Sequence, residues 1–256
     1  MSNQWGPDAV MDRVRIDAAG MHYTPLNMAI RAAVADGARE IEIDHVMGQR
    51  FIADGLKGDV TLIIHGVPGG DLGMFMSGPT CIVHGNCDHA PGNTMDSGLI
   101  VIHGSAGDAV AHSMRGGKVF VRDSIGYRGG IHMKQYRDKR PILVLGGNFR
   151  AFLGEYMAGG LILALGPPPD RPIRERGIGS GIHGGRIIVR GDVDDEYLGV
   201  GAQKSPLTRE ERDEISPLIR EFATYFQRDP DVLLDDSYVQ IRPSSSRPFA
   251  SKYTWE

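Results

Sequence analysis

The sequence predicts an all-β solenoid, a parallel β-helix of about seven rungs flanked by an N-terminal and a C-terminal helix. Three observations carry that expectation. Glycine supplies 35 of 256 residues, about twice the usual ~7%, so the chain turns often. An apolar run followed by His-Gly recurs at a fixed interval of nineteen residues, as "LIIHG" ending at Gly66, "CIVHG" ending at Gly85 and "IVIHG" ending at Gly104. Extending that register adds the segment ends Asp123, Gly146, Gly166 and Gly191, a period near twenty that fits one short strand per coil.

From the N-terminus, "VRID" (Val14 to Asp17) reads as a strand, and "TPLNMAIRAAVADGA" reads as a helix from about Pro25 to Asp36. Thr24 suits its cap, Pro25 its first position, and Leu26, Ile30, Ala33 and Val34 form one apolar face. "EIEIDHV" alternates polar and apolar residues and leads into the coil as a strand.

Within the ladder, the residues four places before each end are Leu62, Cys81, Ile100, Val119, Ile142, Ile162 and Ile187. Two places before stand Ile64, Val83, Ile102, Val121, Val144, Ala164 and Val189. A strand sends alternate side chains to one face, so these two rows face a common core. The row between them, which includes Phe120, Leu143 and Leu163, points outward yet is apolar, so something covers it: helices of this chain or a partner. Glycine pairs or single glycines in "MSGP", "MDSG", "MRGG", "MAGG" and "IHGG" precede the strands and permit sharp corners. These openings do not fit the spacing of a leucine-rich repeat.

Between the fourth and fifth rungs, Ser124 to Arg140 reads as an inserted side loop rich in cations, including Lys134, Arg137 and Arg140, and such loops often contact partners. After the ladder, "TREE" is a capping box, and "SPLIREFATYF" reads as a helix with Ser216 as its cap and Pro217 at its first position. "PSSSRPF" reads as a loose tail. The chain thus divides into a strand-helix-strand cap (1–48), a β-helix (49–200) and C-terminal helices with a tail (201–256), together one compact unit.

Composition narrows the function. Hydrophobic residues make up 41%, charged residues 23% and net charge is -4, so neither disorder nor a nucleic-acid footprint is expected. Apolar runs are far shorter than the ~20 residues of a membrane span, and the N-terminus lacks a signal-peptide pattern, so a cytoplasmic location is expected. The two cysteines, Cys81 and Cys87, are too few for a four-cysteine cluster, and Cys81 falls on the core row. His65, His84 and His103 occupy equivalent points of three successive turns and should stack about 4.8 Å apart. A metal site is one reading of that column; a surface column placed by the repeat is the other. Asp192, Asp194, Asp195 and Glu196 form an acidic loop that a β-helix enzyme could use as a polar site of its own.

"GIGSG" (Gly177 to Gly181) is neither a phosphate loop nor a dinucleotide fingerprint, since it does not open a helix after a strand. With the preceding rungs, however, it resembles the G-x-G-x-G domain at the C-terminal end of the large subunit of glutamate synthase. That resemblance implies a right-handed parallel β-helix, with Gly177, Gly179 and Gly181 as the matching motif in a conformational role. A chain of this length resembles a stand-alone version. The resemblance further implies a noncatalytic subunit whose partners are a glutamine amidotransferase and an FMN-dependent synthase, with FMN and iron-sulfur clusters on those partners and no cofactor on this chain. Related subunits of N-methylglutamate synthase and formylmethanofuran dehydrogenase are alternatives, and homo-oligomerisation stays open.

Overall fold

The computed structural model describes residues 12–166 and 173–245. Strand β1 (Arg13–Asp17), helix α1 (Tyr23–Ala35) and strand β2 (Glu40–Met47) come first. Seven rung strands follow: β3 (Thr61–Val67), β4 (Ser77–His84), β5 (Ser97–Ile102), β6 (Lys118–Val121), β7 (Ile142–Leu145), β8 (Ala158–Ala164) and β9 (Gly184–Arg190). Strand β10 (Ala202–Pro206), helices α2 (Arg209–Phe226) and α3 (Pro230–Leu234) and strand β11 (Tyr238–Pro243) complete the described chain.

One sheet runs in the order β1 to β9 and then β11 and β10, parallel throughout except for the antiparallel pairings of β11 with β9 and β10. The seven rungs enclose about six turns of a parallel solenoid. The inner row is Leu62, Cys81, Ile100, Val119, Leu143, Ile162 and Ile187, each with no exposed surface. Burying seven such side chains contributes on the order of 1.5–3 kcal/mol apiece before chain entropy is counted.

The fifth rung corrects the expected register by one residue. Leu143, not Ile142, pairs with Val119 and Ile162, and Val144, not Leu143, lies in the outward row between Phe120 and Leu163. The cause is the inserted loop, which is shorter than expected. Residues through Met133 complete an ordinary turn, so the insertion is confined to the loop before Pro141, pinned by an isolated antiparallel bridge between Tyr136 and Lys139. Five extra residues there shift the strand against a count made from the His-Gly position.

Both helices begin elsewhere than expected. His22, not Thr24, is the N-cap of α1, its Nδ1 accepting from the Thr24 amide. In α2 the capping box of Thr208 and Glu211 starts a single helix that runs through Pro217, so Ser216 is not a cap. Proline inside a helix costs about 3 kcal/mol. The apolar face of α2 offsets it: Ile215, Leu218, Ile219, Phe222 and Phe226 are all nearly buried against Val101, Phe120, Val144, Leu163 and Ile188. Lys118 donates to Glu221 at 2.6 Å and Arg140 to Glu214 at 2.5 Å, fixing the helix over the sheet.

From Val101 onward the outward apolar row is therefore covered by this chain's own helix, whereas Ile63 and Ile82 at its start stay partly exposed. Phe120, Leu143 and Leu163 have no exposed surface, which corrects their expected role as partner contacts: α2 covers Phe120 and Leu163, and Leu143 faces inward. The expected tail lies outside the described residues beyond Ser245, while Pro243 ends β11. No helix among the described residues is long and apolar enough to cross a membrane.

Candidate functional site

The wall opposite the strands carries the motif. At seven successive corners of the coil, three alternate residues have left-handed backbone: Phe51, Ala53 and Gly55; Asp71, Gly73 and Phe75; Ala90, Gly92 and Thr94; Ala109, Ala111 and Ser113; Arg128, Gly130 and His132; Phe152, Gly154 and Tyr156; and Gly177, Gly179 and Gly181. The last triplet is the G-x-G-x-G string. It is one copy of a repeated turn, and the copy in which all three left-handed positions are glycine.

Alternation of left-handed and right-handed residues aims successive amides in opposite directions along the coil axis. The Phe152 and Tyr156 amides donate onward to Arg176 O at 2.9 Å and Ser180 O at 2.8 Å, while the Gly154 amide donates back to Gly129 O at 2.8 Å. In the motif turn, the Gly179 amide reaches back to Leu153 O at 2.8 Å and the Gly181 amide forward to Val200 O at 2.7 Å. Each turn is thereby bonded to both neighbours, which satisfies buried backbone groups outside any ordinary strand.

The middle position faces inward and is always glycine or alanine. A Cβ on Gly154 would lie 2.4 Å from Ile187 Cδ1, and one on Gly179 3.2 Å from the Cβ of Ala202. At Gly177 a Cβ would lie 2.6 Å from the Phe152 ring. After the third left-handed residue comes an inward side chain: Leu56, Met76, Met95, Met114, Met133, Met157 or Ile182, all nearly or fully buried. Cys81 sits 3.8 Å from the Met76 sulfur, and burial pushes its thiol up to about 12, so it is a core residue rather than a nucleophile. Both cysteines are free and buried.

The histidine column forms as expected. His65 and His84 stack with centroids 5.1 Å apart, His84 and His103 with centroids 5.0 Å apart, and Phe226 of α2 meets the edge of the column at His103. Burial first, then His84 and Arg122, lowers the proton affinity of His103. A metal is not suggested along the column itself. The carboxylate neighbour that the repeat did not reveal is Glu42 of β2, one rung earlier, 3.0 Å from His65 Nε2.

Glu42, Asp44 and His65 bring three potential ligand atoms within 4.8 Å of one another. Arg13 donates to Glu42 at 2.8 Å and Arg15 to Asp44 at 2.5 Å, so both carboxylates are already compensated. That donor set fits a surface charge ladder better than a divalent cation, which would have to displace two guanidiniums. The acidic loop is likewise engaged: Lys204 Nζ lies 2.8 Å from Asp192 and 3.6 Å from Asp195, while Asp194 and Glu196 are exposed. In the inserted loop Lys134 and Arg137 are exposed, whereas Arg140 is half-buried beneath α2.

Fold and site thus define a class: a parallel β-solenoid whose second wall is a stack of left-handed turns, closed by a helix on the outer face of its sheet. The chain belongs to the GXGXG motif family, whose model matches residues 22–244. This is the domain type found in glutamate synthase. The chain is also 53% identical over 254 residues to the uncharacterized protein MJ1350 of Methanocaldococcus jannaschii, across 95% of this chain and 97% of that relative.

Proposed function

We propose that this chain is a noncatalytic structural subunit of a glutamate synthase complex, holding a glutamine amidotransferase subunit and an FMN-dependent, iron-sulfur synthase subunit in register. The observation that supports this reading is the family match over residues 22–244, in a motif whose glycines shape backbone instead of presenting reactive groups. In the proposed complex, glutamine hydrolysis on one partner supplies ammonia to 2-oxoglutarate on the other, where reduction gives glutamate. FMN and the clusters belong to the partners. Fixed geometry between the two sites keeps ammonia transfer effectively intramolecular, which is how a rigid spacer raises the rate. Lys134 and Arg137, exposed on the inserted loop, are the cations of that loop left open to a partner.

The test is capture of the tagged chain from its native cell, with mass spectrometry of the retained proteins and an absorption spectrum of the complex. Recovery with a class II amidotransferase and a flavin and iron-sulfur spectrum is the expected result. Partners of N-methylglutamate or formylmethanofuran chemistry would keep the structural role and replace the enzyme. A colourless protein recovered alone would overturn the reading.

A further inference from the structure

A bowl of about 480 Å³ opens beside the inserted loop, lined by Gln135, Arg140, Arg186 and Arg242 and by the backbone of Gly160 and Gly185. Three guanidiniums line it and no carboxylate does. They come from three separate places: Arg140 precedes β7, Arg186 is in β9 and Arg242 is in β11. Their convergence is a product of the sheet order, because β11 inserts beside β9 after the chain has passed through α2.

Two carboxylates of α2 stand behind the arginines. Glu214 accepts from Arg140 at 2.5 Å and from Arg186, and Glu211 accepts from Arg242 and lies 3.7 Å from Arg186. Two negative charges facing three positive ones leave one positive charge uncompensated. Donors are left over as well. A guanidinium offers five N–H groups in a planar fork, and the described hydrogen bonds engage only Nη1 of Arg140, Nη2 of Arg186, and Nε and Nη2 of Arg242. Glu211 and Glu214 hold the forks in place from one side, so their free edges are pre-oriented with little rotamer freedom to lose. Gly160 and Gly185, with φ of 92° and 83°, contribute only backbone to the lining.

We propose that this bowl binds a small oxyanion, the phosphate or carboxylate group of a metabolite, on the converging guanidiniums of Arg140, Arg186 and Arg242. Planar forks meet tetrahedral and planar oxyanions with paired hydrogen bonds, which is the chemistry arginine serves better than lysine.

Isothermal titration of the whole protein with inorganic phosphate, and separately with malonate, at constant ionic strength tests this. Saturable binding of at least one is expected, and the arm that binds identifies the head group. Arg140→Gln with Arg242→Gln should weaken that binding by about tenfold or more, the loss expected for charge-assisted hydrogen bonds. Glu214→Gln keeps an oxygen to accept from the arginines and hold their forks but removes a negative charge, so it should tighten binding, an effect a merely structural role would not produce. Circular dichroism checks that each variant folds; if the double variant does not, Arg140→Gln alone and Glu214→Gln decide. Absence of saturable heat with both anions, binding indifferent to the arginine substitutions, or no tightening in Glu214→Gln would each overturn the proposal.

Discussion

Gly179 has φ of 68° and its absent Cβ would face Ala202 and Ile241, whereas Gly55, at the edge of the first turn, has φ of 58° and open space around it. The two glycines share a backbone and differ in surroundings, so they separate strain from packing. Gly179→Val should destabilise the protein by roughly 2 kcal/mol or more, a left-handed β-branched residue costing ~1–2 kcal/mol before any clash. Gly55→Asn should cost less than about 1 kcal/mol, since asparagine tolerates this conformation; urea unfolding of both variants checks the contrast. Titration acts at this scale too. Burial lowers the proton affinity of His103 and of His112. The native state then binds fewer protons than the unfolded chain, so their contribution is present above the unfolded value near 6.5 and is lost as pH falls through the folded values. Thermal melts should therefore show a midpoint falling below pH 6.5, with a smaller slope in His103→Gln.

Helix α2 is the element whose contribution is easiest to isolate. Phe222→Ala, which removes a nearly buried ring from its contact with the outer row, should cost about 3–5 kcal/mol, and Thr208→Ala, which breaks the capping box, about 1 kcal/mol. Chemical denaturation of each measures it. What could be read from sequence follows the same division. The strands were legible because alternate apolar residues repeat at nineteen, and the outward apolar row announced a cover. That α2 covers the row from Val101 onward was not legible, because the apolar face of a helix does not say which surface it meets. Register failed at Leu143 because the loop from Lys134 adds residues between a turn and its strand, and counting from the strand end misplaces them. The left-handed wall was nearly invisible: its outer positions hold phenylalanine, aspartate, arginine and tyrosine as readily as glycine. Only the small middle residue and the recurring Met76, Met95, Met114, Met133 and Met157 signalled it. Glu42 beside His65, and the meeting of Arg140, Arg186 and Arg242, depend on pairings between distant strands.

For the whole molecule, each rung is bonded to the one before and the one after, so stability is close to a sum of nearest-neighbour terms. The sheet ends, β1 and β10, have one neighbour each. Amide hydrogen exchange should accordingly be slowest in β4 to β8 and faster in β1 and β10; uniform protection along the sheet would contradict this. A consequence follows from the opposed amides of the turn wall, which tie each coil to both neighbours. The axial rise is set by backbone bonds and not by side-chain size, at about 4.8 Å per turn. Six turns measure off about 29 Å, and evolution can change that distance only in whole increments, by adding or deleting a coil. The coil is a gauge with fixed graduations, in which any two rungs lie a whole number of steps apart.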